Sequence, residues 1–475
     1  MRTPFILLLG LSLALGTPCR AANHYVRPGA KGASNGADWT NAFTSIPTGV
    51  SMKRGDIYYL AGGNYGPYTF STAESGTSPI TIKAATIADH GTSTGWSNSY
   101  AVDGGAGQAV FANPGGVAVF TVDKGYLSLD GNGTSSTAGC QSSICGIKID
   151  NAGCVSTCWA LYADTTGLSS LTLRYVEIQG IGNQGSVGPF EEDVRFVGTS
   201  YPNGCKSCTL QHNYLHSSSS TFIQVQGTDS LLLEYNVFDN NYGNVSANHG
   251  AAYAGSNDSN VTIRYNEFID NEGTAVIEEG VNPCSCTMSN WGVYGNVFYY
   301  RSGNPNGKSG VDNGILSFTR DSGTNINFYN NSIVNFINKG GTFGDAVYLY
   351  PTGSFTGSIE NNIWYQNTNN ANFLVPASGV TVDYNTYLNA STNDAGAHSF
   401  TNNSPTNPFV NWSNGNFALT SETVDPHLND GLSLPSPYNV DAAGTIRGAD
   451  GTCERGAYEY GAAPQAPTGL FATVN

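Results

Sequence analysis

The clearest pattern in the chain is a short alternation of apolar and polar residues that recurs and ends each time in an asparagine. In "VTIRYNEF", residues 261–268, Val261 and Ile263 alternate with polar residues before Asn266. Alternation of this kind over four to eight residues predicts a half-buried β-strand. Helical periodicity is absent from nearly every other window, so the sequence predicts an all-β protein.

The template repeats at intervals of 23 to 35 residues, and its asparagines are Asn213, Asn236, Asn266, Asn296, Asn331, Asn362 and Asn385. A period of this size, with short strands and no helices, predicts a solenoid of stacked β coils. Stacking would place equivalent residues about 4.8 Å apart. Each asparagine would then hydrogen-bond to the next in a ladder, so we assign these residues a structural role.

Each coil contains two recognisable strands. The first precedes the asparagine, and we predict a solvated outer face for it, with Tyr294 and Tyr329 exposed and a Glu234–Arg264 ion pair. The second follows a glycine turn, and keeping its apolar residues inward sends a polar and aromatic set outward. That set comprises Arg195, Gln224, Gln226, Tyr253, Glu278, Ser317, Thr319, Tyr348 and Tyr350. A one-residue change of register would exchange Glu278 with Glu279.

The composition is unusually poor in charge. Charged residues make up 11% of the chain, against about 25% in ordinary globular domains, while the 39% hydrophobic content excludes a disordered chain. The net charge of −16 argues against nucleic acid and anionic membranes as partners. It also disfavours polyanionic glycans unless a cation or a local basic patch intervenes. We expect a monomer.

The N-terminus has the features of a secretory signal peptide. Arg2 precedes an apolar run, and small residues follow at Ala21 and Ala22. The run is too short to span a membrane and nothing similar recurs, so we predict a secreted or cell-surface protein without membrane insertion. Cys19 is also compatible with a lipoprotein, although Pro18 occupies a position where a small residue is expected.

Most of the cysteines lie in close pairs, at 140/145, 154/158, 205/208 and 284/286. An exported protein favours disulfides, either local or between neighbouring loops. The Cys205-x-x-Cys208 pair is also compatible with half of a zinc site, although no partner lies at ribbon spacing. Cys453 is left over.

The repeat and the C-terminal segment together resemble a known group of proteins. The first similar feature is the repeated coil "VTIRYNEFIDNEG". The second is a pattern in the C-terminal segment, which is matched by Ser436, Pro437, Asp441, Arg447, Gly456, Ala457, Tyr458 and Glu459. Over residues 23–460 the chain resembles right-handed parallel β-helix proteins of the pectate-lyase-like superfamily. The resemblance implies a right-handed parallel β-helix of roughly ten coils, with a C-terminal segment that caps its open end.

The sequence and the resemblance together predict an organisation along the chain. It comprises a signal peptide (1–22), an N-terminal cap with the first coil (23–75), the parallel β-helix (76–400), a C-terminal capping segment (401–460) and a flexible tail (461–475). The resemblance implies no single activity, because the superfamily includes lyases, hydrolases, esterases, epimerases and non-catalytic adhesins. A His-Gly at 249–250 resembles polygalacturonase-like hydrolases, but their Asp-Asp and Arg-x-Lys motifs are missing.

Two mechanisms would suit the outer face of the second strands. Hydrolysis needs two carboxylates that flank the glycosidic bond. Glu278 or Glu279 could provide one of them, and Asp312 or a member of residues 191–193 the other. β-Elimination needs a base and a group that neutralises the uronate carboxylate, and the candidates are His249, Arg195, Arg320, Lys308 and Lys339.

The remaining candidates would bind a metal or the sugar. Ca²⁺ is the one cofactor that we consider, and Glu191, Glu192 and Asp193 are its candidate ligands. The substrate-binding candidates are Tyr253, Tyr348 and Tyr350, which would stack on sugar rings, together with Gln224 and Gln226.

Three functional hypotheses remain open. The first is a carbohydrate-active enzyme that acts on a polysaccharide, with a lyase preferred over a hydrolase. The second is a non-catalytic glycan-binding or cell-surface β-helix, supported by the absence of an intact catalytic motif. The third is a purely structural module.

Overall fold

The computed structural model describes most of the chain. The described residues are 21–134, 139–140, 145–163, 167–183, 190–197, 204–243, 251–280, 287–302, 314–320, 322–337, 345–367, 373–375, 378–391, 393–421 and 425–461. Within them the chain winds through three long sheets, here called A, B and C. All strand pairs within these sheets are parallel. The prediction of an all-β parallel β-helix is confirmed.

Sheet A contributes the strand that precedes each asparagine. Its strands are Asn23–Val26, Ile57–Leu60, Ile80–Ala84, Leu127–Asp130, Leu171–Arg174, Cys208–Gln211, Asp229–Glu234, Ser259–Arg264, Thr287–Tyr294, Ser322–Tyr329, Phe355–Glu360 and Val380–Asp383. Sheet B follows the asparagine in each coil. Its strands are Gly63–Asn64, Ala109–Ala112, Ile147–Asp150, Val176–Gln179, Tyr214–Ser218, Val237–Asn241, Glu267–Asn271, Val297–Tyr299, Ser332–Val334, Ile363–Tyr365, Thr386–Leu388 and Phe400–Asn402.

Sheet C closes each coil before the chain returns to sheet A. Its strands are Tyr68–Phe70, Ala118–Val122, Cys158–Ala163, Glu191–Val197, Thr221–Gln226, Ala251–Gly255, Ala275–Glu279, Gly314–Phe318, Val347–Leu349 and Phe373–Leu374. A separate antiparallel pair joins Phe409–Asn411 to Asn416–Leu419. Short 3-10 helices lie at Gly49–Ser51, Asn98–Tyr100, Trp412–Asn414 and Pro426–Leu428.

The core fills the centre of the solenoid with equivalent side chains stacked on one another. In sheet B the rings of Phe238, Phe268 and Phe298 stack with centroids 4.9 and 4.7 Å apart. The strand spacing of a parallel sheet is about 4.8 Å, so the rings follow the backbone register. Apolar residues of successive coils therefore form continuous columns that no single coil could bury alone.

A column of asparagines turns the chain from sheet A to sheet B. The side-chain nitrogen of Asn296 donates to the carbonyl of Ile263 at 2.9 Å and to Oδ1 of Asn331 at 3.0 Å. The same pattern joins Asn213, Asn236, Asn266, Asn296, Asn331, Asn362 and Asn385 in one continuous chain of hydrogen bonds. These amides are buried, and each satisfies backbone groups that the sharp turn leaves unpaired.

The residue before each of these asparagines has a left-handed backbone. His212 and Tyr235 take this position, Tyr175 takes the equivalent position before Val176 in the preceding coil, and the three rings stack at 5.1 and 5.0 Å. Gly295 interrupts the row, because a Cβ at this position would lie 2.7 Å from the ring of Tyr265. The row of aromatic side chains thus ends where another part of the chain begins to cover the corner.

The C-terminal segment covers that corner and runs back along the side of the solenoid. Asn361, which has the left-handed backbone in its coil, donates to the carbonyl of Leu432 at 2.8 Å. Asn330 donates to the carbonyl of Tyr438 at 3.1 Å, and the hydroxyl of Tyr265 donates to the carbonyl of Val440 at 3.0 Å. The segment therefore packs laterally across several coils, whereas the resemblance implied a cap over the open end.

This packing changes both outer faces. On sheet A the Glu234–Arg264 ion pair forms at 2.6 Å, but Tyr294 and Tyr329 are only 2% and 8% exposed. The ring of Tyr438 packs against both of them. The prediction of a fully solvated face on sheet A is therefore wrong for these coils. On sheet B the segment buries an apolar face formed by Ile269, Tyr299, Val334, Ile363 and Leu388.

Buried charge fixes the segment in place. Arg455 is fully buried, donates to the carbonyl of Asn385 at 3.0 Å and pairs with Asp430 at 2.6 Å. Arg447 pairs with Glu459 at 3.0 Å and also donates to the carbonyl of Glu454. Each guanidinium thus has several partners, as a buried cation requires.

The described cysteines form three local disulfides, Cys140–Cys145, Cys154–Cys158 and Cys205–Cys208. The disulfide prediction is confirmed for these pairs, and Cys205 and Cys208 are bonded to each other instead of forming half of a zinc site. Cys284 and Cys286 lie outside the described residues, and Cys453 forms no disulfide within them. The described part of the chain contains no helix that is long and apolar enough to cross a membrane.

The asparagine column predicts a stability difference that can be measured. Replacing Asn296 with Ala removes its side-chain bonds and leaves buried backbone groups without partners, so we expect a loss of about 3 kcal/mol in the free energy of unfolding. Denaturant unfolding followed by circular dichroism would measure it. The matched control is Asn64→Ala, on the exposed outer face of sheet B, which should change the value by less than about 0.5 kcal/mol. Equal losses in the two variants would contradict a stabilising role for the asparagine column.

Candidate functional site

Sheet C has a distinctive inward and outward pattern. In each central strand two consecutive residues point into the core, as Ala160 and Leu161 do in one coil and Phe222 and Ile223 in a later coil. The strand bends at this pair, because strict alternation cannot bury two neighbours. Consequently the residue before the pair and the residue after it both project outward, and they form two parallel rows along the sheet.

The strand register identifies the members of the row that follows the inward pair. They are Thr69, Thr121, Tyr162, Arg195, Gln224, Ala254, Glu278, Ser317 and Tyr348, in successive coils. Glu278 thus projects from the outer face, and its side chain is only 8% exposed. The row changes from small threonines to large side chains at Tyr162, which creates a step in the surface.

At this step five side chains form a compact group, here called the sheet C cluster: Trp159, Tyr162, Glu192, Arg195 and Gln224. The rings of Trp159 and Tyr162 stack with centroids 4.2 Å apart and planes 10° from parallel. The Arg195 guanidinium lies over the Trp159 ring at 5.4 Å and forms an ion pair with Glu192. Arg195 also donates to Oε1 of Gln224 at 3.2 Å.

Glu192 is the buried member of this cluster. Its side chain is 1% exposed, and the Trp159 ring nitrogen donates to its Oε2 at 3.0 Å. Burial raises the pKa of the Glu192 carboxyl, whereas Arg195 and the Trp159 donor oppose the rise. The net direction is upward, so this carboxyl is more easily protonated near neutral pH than an ordinary glutamate.

Of the predicted calcium ligands, Glu191 and Asp193 interact with each other, but Glu192 does not join them. Glu191 accepts hydrogen bonds from the backbone nitrogens of Ile181 and Ser219 at 2.9 and 2.7 Å, whereas Glu192 faces Arg195. Asp193 is fully buried in the inward row that holds Ala160 in the previous coil. Among the residues that the structure describes, no group of three or more His, Cys, Asp or Glu side chains could hold a metal ion. The prediction that these three carboxylates bind one ion is therefore wrong.

Tyr253, which was predicted to face outward, and Glu279, the alternative to Glu278 in the outward set, both lie in the core. Tyr253 is in register with Ile223 and Ile277 and is 1% exposed, so the prediction that it faces a sugar is wrong. Its hydroxyl donates to Oδ2 of Asp258 at 3.0 Å. Glu279 is fully buried and accepts from the backbone nitrogen of Asp258 at 3.2 Å. Of the two strand registers that the sequence allowed, the structure has the one in which Glu278 faces outward and Glu279 faces the core.

The other predicted site residues are scattered or lie outside the described part of the chain. Gln226, Thr319 and Tyr350 occupy the position two residues after the Arg195 row, and Tyr350 is 37% exposed. Arg320 is exposed, two residues after the end of its strand. His249, Lys308, Asp312 and Lys339 lie outside the described residues, so their predicted roles stay predictions.

Trp159 and Tyr162 were not among the site residues predicted from the sequence. They belong to "CWALYA", residues 158–163, which is not among the second strands that the glycine turns identified. An alignment of Leu161 and Ala163 with the inward residues of later coils would have predicted that Tyr162 faces outward. The same alignment would not have predicted an outward Trp159, which projects outward only because the strand bends at the inward pair.

Comparison with known proteins gives neighbours in structure but none in sequence. No protein-family model and no curated protein matches the chain. Among solved structures, pectate lyase Pel9A is 13% identical with a TM-score of 0.47, over 93% of this chain and 97% of that chain. XylC in complex with xylose is 8% identical with a TM-score of 0.45, over 81% and 86%. The PL6 family alginate lyase AlyGC is 14% identical with a TM-score of 0.34, over 85% and 56%.

The buried carboxyl pair predicts a pH dependence of stability. Burial raises the pKa of Asp258 to about 6 and that of Glu279 well above its ordinary value. The folded state therefore keeps protons that the unfolded chain releases above pH 4, so the free energy of unfolding falls as the pH rises from 4 to 7. Glu279→Gln should reduce this fall, because an amide takes up no proton in this pH range.

Urea unfolding at several pH values would measure this difference. Glu278→Gln is the matched control, because it removes the neighbouring carboxylate on the outer face and should keep the wild-type slope. If Glu279→Gln kept that slope as well, the buried pair would not be its source.

Proposed function

We propose that this protein is a secreted carbohydrate-active β-helix protein that binds a polysaccharide across the sheet C cluster and cleaves it by β-elimination. The observation that carries the proposal is the union, on one outer face, of two stacked aromatic rings, a guanidinium, a buried carboxyl of raised pKa and an amide. Carbohydrate sites combine flat apolar surface with a few placed polar groups in this way.

The step beside Tyr162 gives the polysaccharide a place to lie. Thr69 is exposed and Thr121 is partly exposed, and both precede Tyr162 in the outer row. A sugar unit above these small side chains would rest against the edge of the aromatic pair. Further units would follow the row toward Gln224, because the coils continue at the strand spacing of about 4.8 Å.

At the sheet C cluster, the spacing of carboxylates favours elimination over hydrolysis. Glycoside hydrolysis uses two carboxyl groups about 5 to 9.5 Å apart. Within the described strands of sheet C, Glu192 and Glu278 are the carboxylates that project outward. Three coils separate them, which is about 14 Å along the axis, and this exceeds the hydrolase range.

Arg195 supplies the group that elimination from a uronate requires. A planar guanidinium binds a carboxylate in bidentate fashion, so an incoming uronate would compete with Glu192 for Arg195. The raised pKa of Glu192 eases this exchange, because the displaced carboxyl can take up a proton instead of remaining a buried, unpaired charge. Secretion is supported by the three disulfides and by the N-terminal sequence.

A non-catalytic glycan-binding protein is the second candidate. It is favoured by the internal pairing of the cluster, since Glu192 already binds both Arg195 and Trp159. A cluster of this kind is pre-organised and needs no rearrangement to present its aromatic edges to a neutral sugar.

A polysaccharide panel separates these functions. We expect the purified mature protein to raise the absorbance at 235 nm on a uronate-containing polysaccharide, because β-elimination creates an unsaturated uronate. New reducing ends without this absorbance would mean hydrolysis instead. Binding without either signal across a broad panel would support the non-catalytic glycan-binding function and overturn the enzymatic one.

The cluster itself is tested by a single truncation. Trp159→Ala removes the larger ring and the donor to Glu192, so we expect the affinity for the polysaccharide to fall at least about tenfold. Isothermal titration calorimetry would measure the affinity, and thermal unfolding would verify that the variant is folded. Trp412→Ala, in the C-terminal segment, is the control and should bind like the wild type. Unchanged binding by Trp159→Ala would place the site elsewhere.

A further inference from the structure

A second polar cluster lies on sheet B, away from the face discussed above. Nε2 of His216 lies 3.2 Å from Oε1 of Glu177, and Nδ1 of the same ring lies 3.1 Å from Oγ of Ser217. The three side chains come from adjacent coils, since His216 is in register with Gln179, two residues after Glu177. One imidazole thus connects a carboxylate to a serine hydroxyl.

Neighbouring groups hold Glu177 in its ionised form. Nζ of Lys148 lies 3.0 Å from its Oε1, and the amide of Gln108 donates to its Oε2 at 2.8 Å. Hydrogen bonds and charges from His216, Lys148 and Gln108 outweigh burial and lower the pKa of Glu177 to about 2. A carboxylate only accepts hydrogen bonds. In its neutral form, His216 would donate from Nε2 to this carboxylate, which leaves the Nδ1 lone pair facing the Ser217 hydroxyl.

The backbone at position 217 makes the serine unusual. Ser217 has a φ of +61°, and in the register of sheet B it corresponds to Asn240, Asp270, Asn335, Gln366 and Asn389, which also have positive φ. Asn and Asp tolerate this conformation best among residues with a Cβ. A structural salt bridge network would explain the presence of Lys148 and Glu177. It would not explain why a serine occupies this position of positive φ.

The cluster is accessible. His216 is 17% exposed at its side chain, and Ser217 is half-buried. The ring of Tyr214 stacks on His216 at 4.4 Å and restricts its rotation. The apolar face that the C-terminal segment covers reaches the edge of the cluster, where Tyr214 packs against it, and its fully buried residues begin in the following coils, at Val237 and Ile269.

We propose that Ser217 is the nucleophile of an acyl-ester hydrolase site, with His216 as general base and Glu177 as the positioning residue that orients the imidazole. The Ser217 oxygen attacks the ester carbonyl while its proton moves to Nδ1 of His216. The carbonyl–alkoxy bond breaks, and His216 protonates the departing alcohol. Water, deprotonated by the same imidazole, then releases the acid and restores the serine. This activity does not rest on the proposed polysaccharide site.

The experiment uses the full mature chain with p-nitrophenyl acetate as substrate and a fluorophosphonate as covalent probe. We expect saturable release of p-nitrophenolate, and one adduct that peptide mass spectrometry assigns to Ser217. Ser217→Asn is the decisive variant, because it introduces the residue type that other coils use at this corner. It should fold with an unchanged or higher melting temperature and lose both the adduct and at least 100-fold of the activity.

Two further variants separate a catalytic from a structural role. Glu177→Gln should lower kcat at least tenfold with KM unchanged, and Glu177→Asp should recover part of the loss, which a merely stabilising role would not produce. Ser71→Ala, at an exposed serine away from sheet B, should behave like the wild type. The proposal is overturned if the wild type takes up no adduct at Ser217, or if Ser217→Asn hydrolyses the ester at the wild-type rate.

Discussion

The buried asparagine column is the constraint on which the rest of this solenoid depends. Each side chain, as that of Asn266 does, bonds both to the next asparagine and to a backbone carbonyl of the preceding coil. A slip of one residue in any coil would break several buried hydrogen bonds at once, and each unpaired buried group costs about 1–3 kcal/mol. The column therefore fixes the register of neighbouring sheets, and with it the face on which every other side chain lies.

The same corner also determines where the C-terminal segment can bind. Aromatic residues such as Tyr235 at the left-handed position stack on each other, and they leave no free amide for another chain segment. Where the position is held by Asn330 and Asn361, the side-chain amides bond to the segment backbone. The covered part of the corner thus begins at Tyr265, whose hydroxyl also bonds to the segment, and continues along the two asparagines.

The periodic features of this fold could be read from the sequence, and the aperiodic ones could not. Spacing and alternation predicted a solenoid of stacked β coils, the family resemblance implied that it is a parallel β-helix, and the Glu234–Arg264 pair followed from the repeat template. Tyr253 was assigned to the wrong face because strand alternation cannot show that Asp258 lies inside to accept its hydroxyl. Trp159 was missed because its exposure depends on a bend in the strand. The lateral path of the C-terminal segment has no periodic signal at all.

The distribution of charge explains why two clusters occupy the same coils. A chain with so few charged residues places Glu177 and His216 on sheet B, and Glu192 and Arg195 on sheet C, within neighbouring turns. These turns precede the faces that the C-terminal segment buries, so their outer rows are not needed for packing. Only outer rows of this kind can change without disturbing the asparagine column or the core. The uncovered middle of the solenoid is therefore the part of the fold in which polar chemistry can be built at the lowest cost in stability.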